Sequence, residues 1–270
     1  MARVLIAAVV LLQLFPAGAS PAAPEVPNVL DAVAGASGEA GGQGAPEIST
    51  RELQRALQAG TAVVFDARSP KEFASGHLPG ALNVAGKPGL PPSQYTSDIR
   101  EVERAVHGDK ARPVILYCNG LYCGRSKRLA DDLVATGYTR VRRYQLGMPV
   151  WRALGGVQQI ELAGLLDVLR SDKTAVLLDA RGKGDLPGAR GLRIAEVRDA
   201  KDDGRLPMDD HHTRILVVGA NAQEARALAE GVARDAFDNV SFFAGEAVTV
   251  QEALLANGGR GQDMTGLARR

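Results

Sequence analysis

One pattern, written twice, constrains the fold of this chain more than any other feature. A short apolar stretch, Thr61-Ala-Val-Val-Phe65, ends in Asp66-Ala-Arg68, and later Ala175-Val-Leu-Leu178 ends in Asp179-Ala-Arg181. Leu78-Pro-Gly-Ala81 returns as Leu186-Pro-Gly-Ala189, and Val114-Ile-Leu-Tyr117 returns as Ile215-Leu-Val-Val218. Each copy opens with apolar residues at helical spacing, Leu53, Ala56 and Leu57 in the first and Ile160 to Leu169 in the second. Each then runs into a further helix, Ser126 to Leu133 and Ala222 to Ala229. The pattern is an internal repeat, and continuous apolar strands alternating with helices specify α/β units with largely parallel sheets flanked by helices. Functional loops in such units lie at the carboxyl ends of the strands.

The repeat sets the domain limits at 47–155 and 156–250, in keeping with roughly 100 to 200 residues per domain. Ser49 and Glu52 have capping-box spacing and mark where order begins, and Gly60 closes the first helix. Residues 20–46 are rich in Ala, Gly and Pro with no apolar period and read as a flexible leader, as does the Gly/Arg-rich stretch 251–270 as a flexible tail. Residues 1–19 read as a signal peptide: Met1-Ala-Arg3 is basic, Val4 to Phe15 is apolar, and Ala17-Gly-Ala19 has a small-x-small cleavage pattern. The apolar run is shorter than the roughly 20 residues of a comfortable span. The expectation is therefore a periplasmic or secreted protein with no stable membrane insertion after cleavage, the alternative being an uncleaved anchor. With 32 basic and 31 acidic residues the charge is nearly balanced, which implies no nucleic-acid partner.

Both cysteines fall in one segment, Val114-Ile-Leu-Tyr-Cys118-Asn-Gly-Leu-Tyr-Cys123-Gly-Arg125-Ser126. A thiol at the end of a buried strand, followed by Gly-rich backbone and a helix start, sits where N–H groups and the helix dipole favour a thiolate. Two cysteines are too few for a disulfide scaffold. Five positions apart in an exported protein, they are either a reactive thiol pair or a small disulfide. Their spacing, with His211-His212 far away in sequence, does not suit a structural zinc site, so no metal and no cofactor is expected.

With these residues in hand, the first copy resembles a rhodanese domain, the module of the thiosulfate sulfurtransferase family. The resemblance rests on Phe65-Asp66-Ala-Arg68-Ser-Pro-Lys-Glu72-Phe73, Gly76-His77-Leu-Pro79-Gly80-Ala81-Leu-Asn83, Tyr117-Cys118, Arg125-Ser126, Gly137-Tyr138 with Val141, and Gly147-Met-Pro-Val-Trp151. It implies tandem rhodanese-like domains, the second silent, because Gly219 stands at the position of Cys118 and Asp185 at that of His77. The bland role of that second copy is to wall one side of the first copy's site. The resemblance also implies sulfane-sulfur transfer from a small anionic donor, thiosulfate or a persulfide, to a thiol or cyanide acceptor through a persulfide on cysteine.

Cys118 is the first candidate for nucleophile. Cys123 is an alternative nucleophile, a resolving thiol or a disulfide partner. Asn119, Gly120, Leu121, Tyr122, Gly124, Arg125 and Ser126 form the expected anion-binding loop, with Arg125 gripping the donor. Asp66, Arg68 and His77 are expected to be structural. Arg125 and Ser126 lie seven and eight positions after Cys118, two more than is usual in the family, and the insertion brings Cys123. Competing readings are a dithiol/disulfide redox protein, a phosphatase-type loop, whose Cys-to-Arg spacing this loop does not match, and a non-catalytic binding module, possession of a periplasmic protein partner being open in each.

Overall fold

The computed structural model describes residues 29–36, 44–84 and 99–263. Residues 1–19, read as a signal peptide, lie outside the described residues. The first unit runs α1 (Val29–Gly35), α2 (Thr50–Ala59), β1 (Val63–Asp66), α3 (Pro70–Ala74), β2 (Leu82–Asn83), α4 (Ile99–Ala105), β3 (Val114–Tyr117), α5 (Gly124–Ala135), β4 (Val141–Tyr144) and α6 (Gly147–Ala153). The second runs β5 (Gln158–Ile160), α7 (Leu162–Ser171), β6 (Val176–Asp179), β7 (Ala189–Gly191), β8 (Ile215–Gly219), α8 (Ala222–Ala233), β9 (Val240–Glu246) and α9 (Ala247–Asp263).

The two sheets are parallel throughout and carry the same order. The first is β2-β1-β3-β4 and the second β7-β6-β8-β9-β5. Where β5 extends the second sheet, the first has a single parallel bridge from Glu47 to Arg143. The register makes the repeat concrete: Asp66 lies beside Tyr117, and Asp179 beside Val218. Cys118 and Gly219 are thus the residues at which equivalent strands reach the sheet's carboxyl edge. Successive side chains alternate between faces. Phe65 and Leu116 pack with Leu129 and Leu133 of α5 on one side of the first sheet, while Val64, Ile115 and Tyr117 pack with Leu53, Tyr144 and Trp151 on the other.

Local chemistry explains the start of order. The Ser49 hydroxyl accepts the Glu52 N–H, the Glu52 carboxylate accepts the Ser49 N–H, and Gly60 ends α2 in the left-handed region at φ 59°. The stretches read as flexible are in part regular. α1 lies within the leader and pairs Asp31 with Arg51 of α2 at 3.1 Å, and α9 reaches into the tail as far as Asp263. Their cause is contact with the domain and continuation of a core helix, since Val250 of α9 is fully buried against the second sheet.

The two units are joined by backbone as well as by side chains. His77 and Gln159 exchange both backbone hydrogen bonds at 2.9 and 2.8 Å, Glu161 N–H donates to the Ala74 carbonyl at 3.0 Å, and the Trp151 indole donates to the Val157 carbonyl at 3.0 Å.

Candidate functional site

The site is built on a clamp at the end of β1. One oxygen of the buried Asp66 carboxylate accepts the Arg68 N–H at 2.8 Å and Nε–H at 3.0 Å, and the other accepts the Arg68 guanidinium and the Tyr117 hydroxyl, the latter at 2.7 Å. Tyr117 in turn accepts the Leu78 N–H at 3.0 Å, and Arg68 donates to the Gly76 carbonyl at 2.7 Å. One carboxylate therefore locks the ends of β1 and β3 to the Leu-Pro-Gly-Ala loop, and burial beside Asp66 raises the Tyr117 pKa so that it stays a donor. The second domain keeps the same clamp: Asp179 accepts the Arg181 N–H at 3.0 Å and Nε–H at 2.9 Å, and Asp185 adds a second carboxylate to that guanidinium.

His77 sits behind this clamp, stacked on Phe73 with ring centroids 3.7 Å apart. Its Nδ1–H donates to the Phe73 carbonyl at 2.9 Å, while the buried Nε2 has no hydrogen-bond partner among the described residues and lies 3.6 Å from the half-exposed Glu161 carboxylate. His77 is fully buried, and only one of its ring nitrogens is satisfied among the described residues. Burial, reinforced by Arg68 and opposed by the Phe73 bond and the Asp66 charge, lowers its pKa from 6.5 to about 4. The unfolded chain therefore binds a proton that the folded one refuses over this interval. The contribution is complete above pH 6.5 and drains away as pH falls through the folded value, a loss of about 3 kcal/mol in total. Urea melts at neutral and mildly acidic pH should show it, with a shallower fall in His77→Asn.

Directly after Tyr117 the chain leaves the sheet. Cys118 is 1% exposed and its carbonyl accepts the Met148 N–H at 3.3 Å. Its sulfur is bonded to that of Cys123, with the two Cα atoms 6.1 Å apart, so neither cysteine is free. Of the possibilities left open by the sequence, the pair is the small disulfide. Cys123 is partly exposed and occupies the N-cap of α5, where its side chain, committed to the disulfide, caps nothing. Cys123 N–H closes the loop on the Gly120 carbonyl at 3.0 Å, leaving Leu121 and Tyr122 at an exposed tip.

Gly147 seats this loop. It has φ 65°, and a Cβ there would run into Gly120 N and the Cys118 carbonyl oxygen. Gly147→Ala should lower stability by about 1–3 kcal/mol in a urea melt, as the loop is pushed off its seat.

Glu72 ties the loop to the clamp, a residue quoted in the Asp-Ala-Arg motif but not anticipated as part of the site. Its carboxylate accepts the Asn119 side-chain amide at 2.5 Å, Arg125 at 3.2 Å, and the Ser69 N–H at 3.0 Å. Burial alone would raise this carboxyl, but hydrogen bonds from Ser69, Asn119 and Arg125 overcome it and hold the pKa to about 2. Ser69-x-x-Glu72 is a capping box visible in the sequence. Its reach to Asn119 and Arg125, from a separate loop, is not.

The expected loop residues are thus brought together unevenly. Asn119 and Arg125 converge on Glu72, Gly120 packs on Gly147, Gly124 and Ser126 lie in the first turn of α5 with Ser126 buried, and Leu121 and Tyr122 point away. Arg125, expected to grip an anion, has a carboxylate as one of its partners. Among the described residues no group of His, Cys, Asp and Glu is arranged to hold a metal ion.

An α/β domain whose buried β3 delivers a cysteine into a loop ahead of α5 matches, over residues 49–154, the family described as rhodanese-like domain. The human thiosulfate:glutathione sulfurtransferase is 51% identical over 121 residues, covering 40% of this chain and 94% of the human protein. The HTH-type transcriptional regulator Rv0324 of Mycobacterium tuberculosis is 32% identical over 117 residues, covering 42% of this chain and 45% of that protein. The crystal structure of thiosulfate sulfurtransferase from Pseudomonas aeruginosa is 22% identical with a TM-score of 0.33, covering 73% of this chain and 43% of that one. The chain therefore spans less than half the length of the last two and nearly all of the human enzyme. The chain belongs to the rhodanese family.

Proposed function

We propose that this protein is a sulfurtransferase that carries sulfane sulfur on Cys118 and that its disulfide with Cys123 is the resting, oxidised form. The observation that carries this reading is the placement of Cys118: buried where β3 ends, on the loop that the Asp66 clamp and Glu72 hold from below. The second domain offers no thiol, since Gly219 takes that place.

A dithiol reductant first reduces the disulfide and is itself oxidised to a disulfide. The Cys118 thiolate then attacks the outer sulfur of thiosulfate, the S–S bond of the donor breaks, and sulfite departs with the electron pair. Attack of an acceptor thiolate on the outer sulfur of the Cys118 persulfide transfers it and regenerates the Cys118 thiolate. No general base is required, because both attacking groups are already anions. Thiosulfate and a small thiol are the proposed donor and acceptor, in line with the names of the human and Pseudomonas enzymes, and the proposed compartment is the periplasm or the exterior.

The test is intact mass of reduced protein after thiosulfate. A one-sulfur increment on wild type that vanishes in Cys118→Ser supports the reading, and its absence from reduced wild type overturns it. The disulfide favours one second reading, a protein whose work is the dithiol/disulfide cycle itself. Under that reading the reduced protein transfers electrons to an oxidant and gains no sulfur.

A further inference from the structure

The two sulfurs of the Cys118–Cys123 bond are not equivalent. Cys118, at the end of β3, is 1% exposed, and its carbonyl is held by the Met148 N–H and crowded by Gly147. Cys123 is partly exposed and stands between two exposed residues, Tyr122 and Gly124. The Tyr122 side chain is fully solvated, so its ring covers neither cysteine.

Thiol–disulfide exchange proceeds in line: the incoming thiolate approaches one sulfur from the side opposite the other, and access decides which sulfur is taken. For Cys118 that side is protein interior, because no face of the residue is open. For Cys123 the approach is through the partly exposed turn between the loop tip and α5. Charge on that approach suits an anion. The first turn of α5 has no acidic residue, and Arg128 folds back over it, with Nη1 3.8 Å from where a Cβ on Gly124 would lie. Lys127 beside it is matched by Asp131 at 2.7 Å, and Arg125 has Glu72 as one partner, so Arg128 is the cation that meets an arriving thiolate.

We propose that Cys123, approached past Arg128, is the site at which a low-molecular-weight monothiol becomes covalently attached to this protein, and that the attachment frees Cys118. The thiolate of the monothiol bonds to the Cys123 sulfur, the Cys118–Cys123 bond breaks, and its electron pair leaves on Cys118 as a thiolate. One disulfide replaces another, so no further oxidant or reductant enters. The face of Cys118 that opens is the one Cys123 has vacated, and it is the face a sulfur donor then meets. The attachment rests on the disulfide alone, whereas sulfur uptake by the freed Cys118 rests on the sulfurtransferase reading.

The probe is glutathione, added with iodoacetamide to the oxidised full chain in the absence of any sulfane donor, with acid quenching over a time course and peptide mapping. The first opened product should carry glutathione on Cys123 and carbamidomethyl on Cys118, in about tenfold or greater excess over the reverse isomer. Arg128→Glu should melt like wild type and slow the appearance of that product by about threefold. Equal amounts of the two isomers, an excess of glutathione on Cys118, or a bond that glutathione leaves closed overturns the assignment. An Arg128→Glu variant that opens at the wild-type rate overturns the steering given to Arg128. Thiosulfate, added in a separate run to the glutathione-opened protein, reads the other assignment: if Cys118 then gains no sulfur, the sulfurtransferase reading fails while the attachment at Cys123 stands.

Discussion

Cys123→Ser should take up one sulfur from thiosulfate with no reductant present, while untreated wild type takes up none. In the structure the buried Cys118 sulfur is occupied by Cys123, so a Cys118 thiol exists only after that bond is opened. Removing Cys123 leaves Cys118 as the sole thiol of the chain, still delivered by β3 to the same loop. The contrast is all-or-none: intact mass should show a near-complete adduct on the variant and none on the oxidised wild type, with reduction making the two alike. If the variant gains no sulfur although a thiol titration finds Cys118 accessible, Cys118 is not the carrier, and Cys123 takes over as candidate nucleophile. The serine also restores a hydroxyl at the N-cap of α5, a position that serine favours, so the variant should fold at least as well as reduced wild type.

The largest loss of stability should come from Asp66→Ala. This one carboxylate receives Arg68, Tyr117 and the Arg68 backbone, and all three are buried. Its removal leaves a guanidinium in the interior with only the Gly76 carbonyl as a named acceptor, and breaking a buried pair from one side costs about 3–5 kcal/mol. Chemical denaturation should resolve the drop in the first domain. Asp179→Ala should cost less, because Asp185 still accepts from Arg181 and that arginine is less deeply buried. Equal losses at the two aspartates would contradict the account of why Asp66 matters.

Much of this architecture is legible in the sequence, and what is legible shares a physical origin. The repeat shows because buried parallel strands need unbroken apolar runs, and its Asp-Ala-Arg ends mark where an Asp and an Arg two residues apart meet through a short turn. Ser49 with Glu52 is readable for the same reason: donor and acceptor lie within one helical turn. The link from Glu72 to Asn119 joins residues 47 positions apart in sequence, and nothing in either segment specifies the other. The same holds for the backbone strap between His77 and Gln159, which depends on how the two domains meet. Helix α1 is not legible because seven residues span too few turns to show a sustained apolar period, and an ion pair from Asp31 to Arg51 ties it to α2. The state of the two cysteines stood open because a spacing of five permits both a free pair and a bond.

In the first domain the five residues Asn119 to Cys123 separate Cys118 from the start of α5 at Gly124, whereas in the second only Ala220 and Asn221 separate Gly219 from the start of α8 at Ala222. A Cβ on Gly219 would come within 2.9 Å of Ala225 N and 3.2 Å of the Asn221 carbonyl oxygen. No single substitution at Gly219 can install a working thiol, because the space for a sulfur and the backbone to cradle it are both absent there. A thiol centre in the second domain would require the whole loop to be transplanted, and the Asp179–Arg181 clamp is the foundation on which it would be laid.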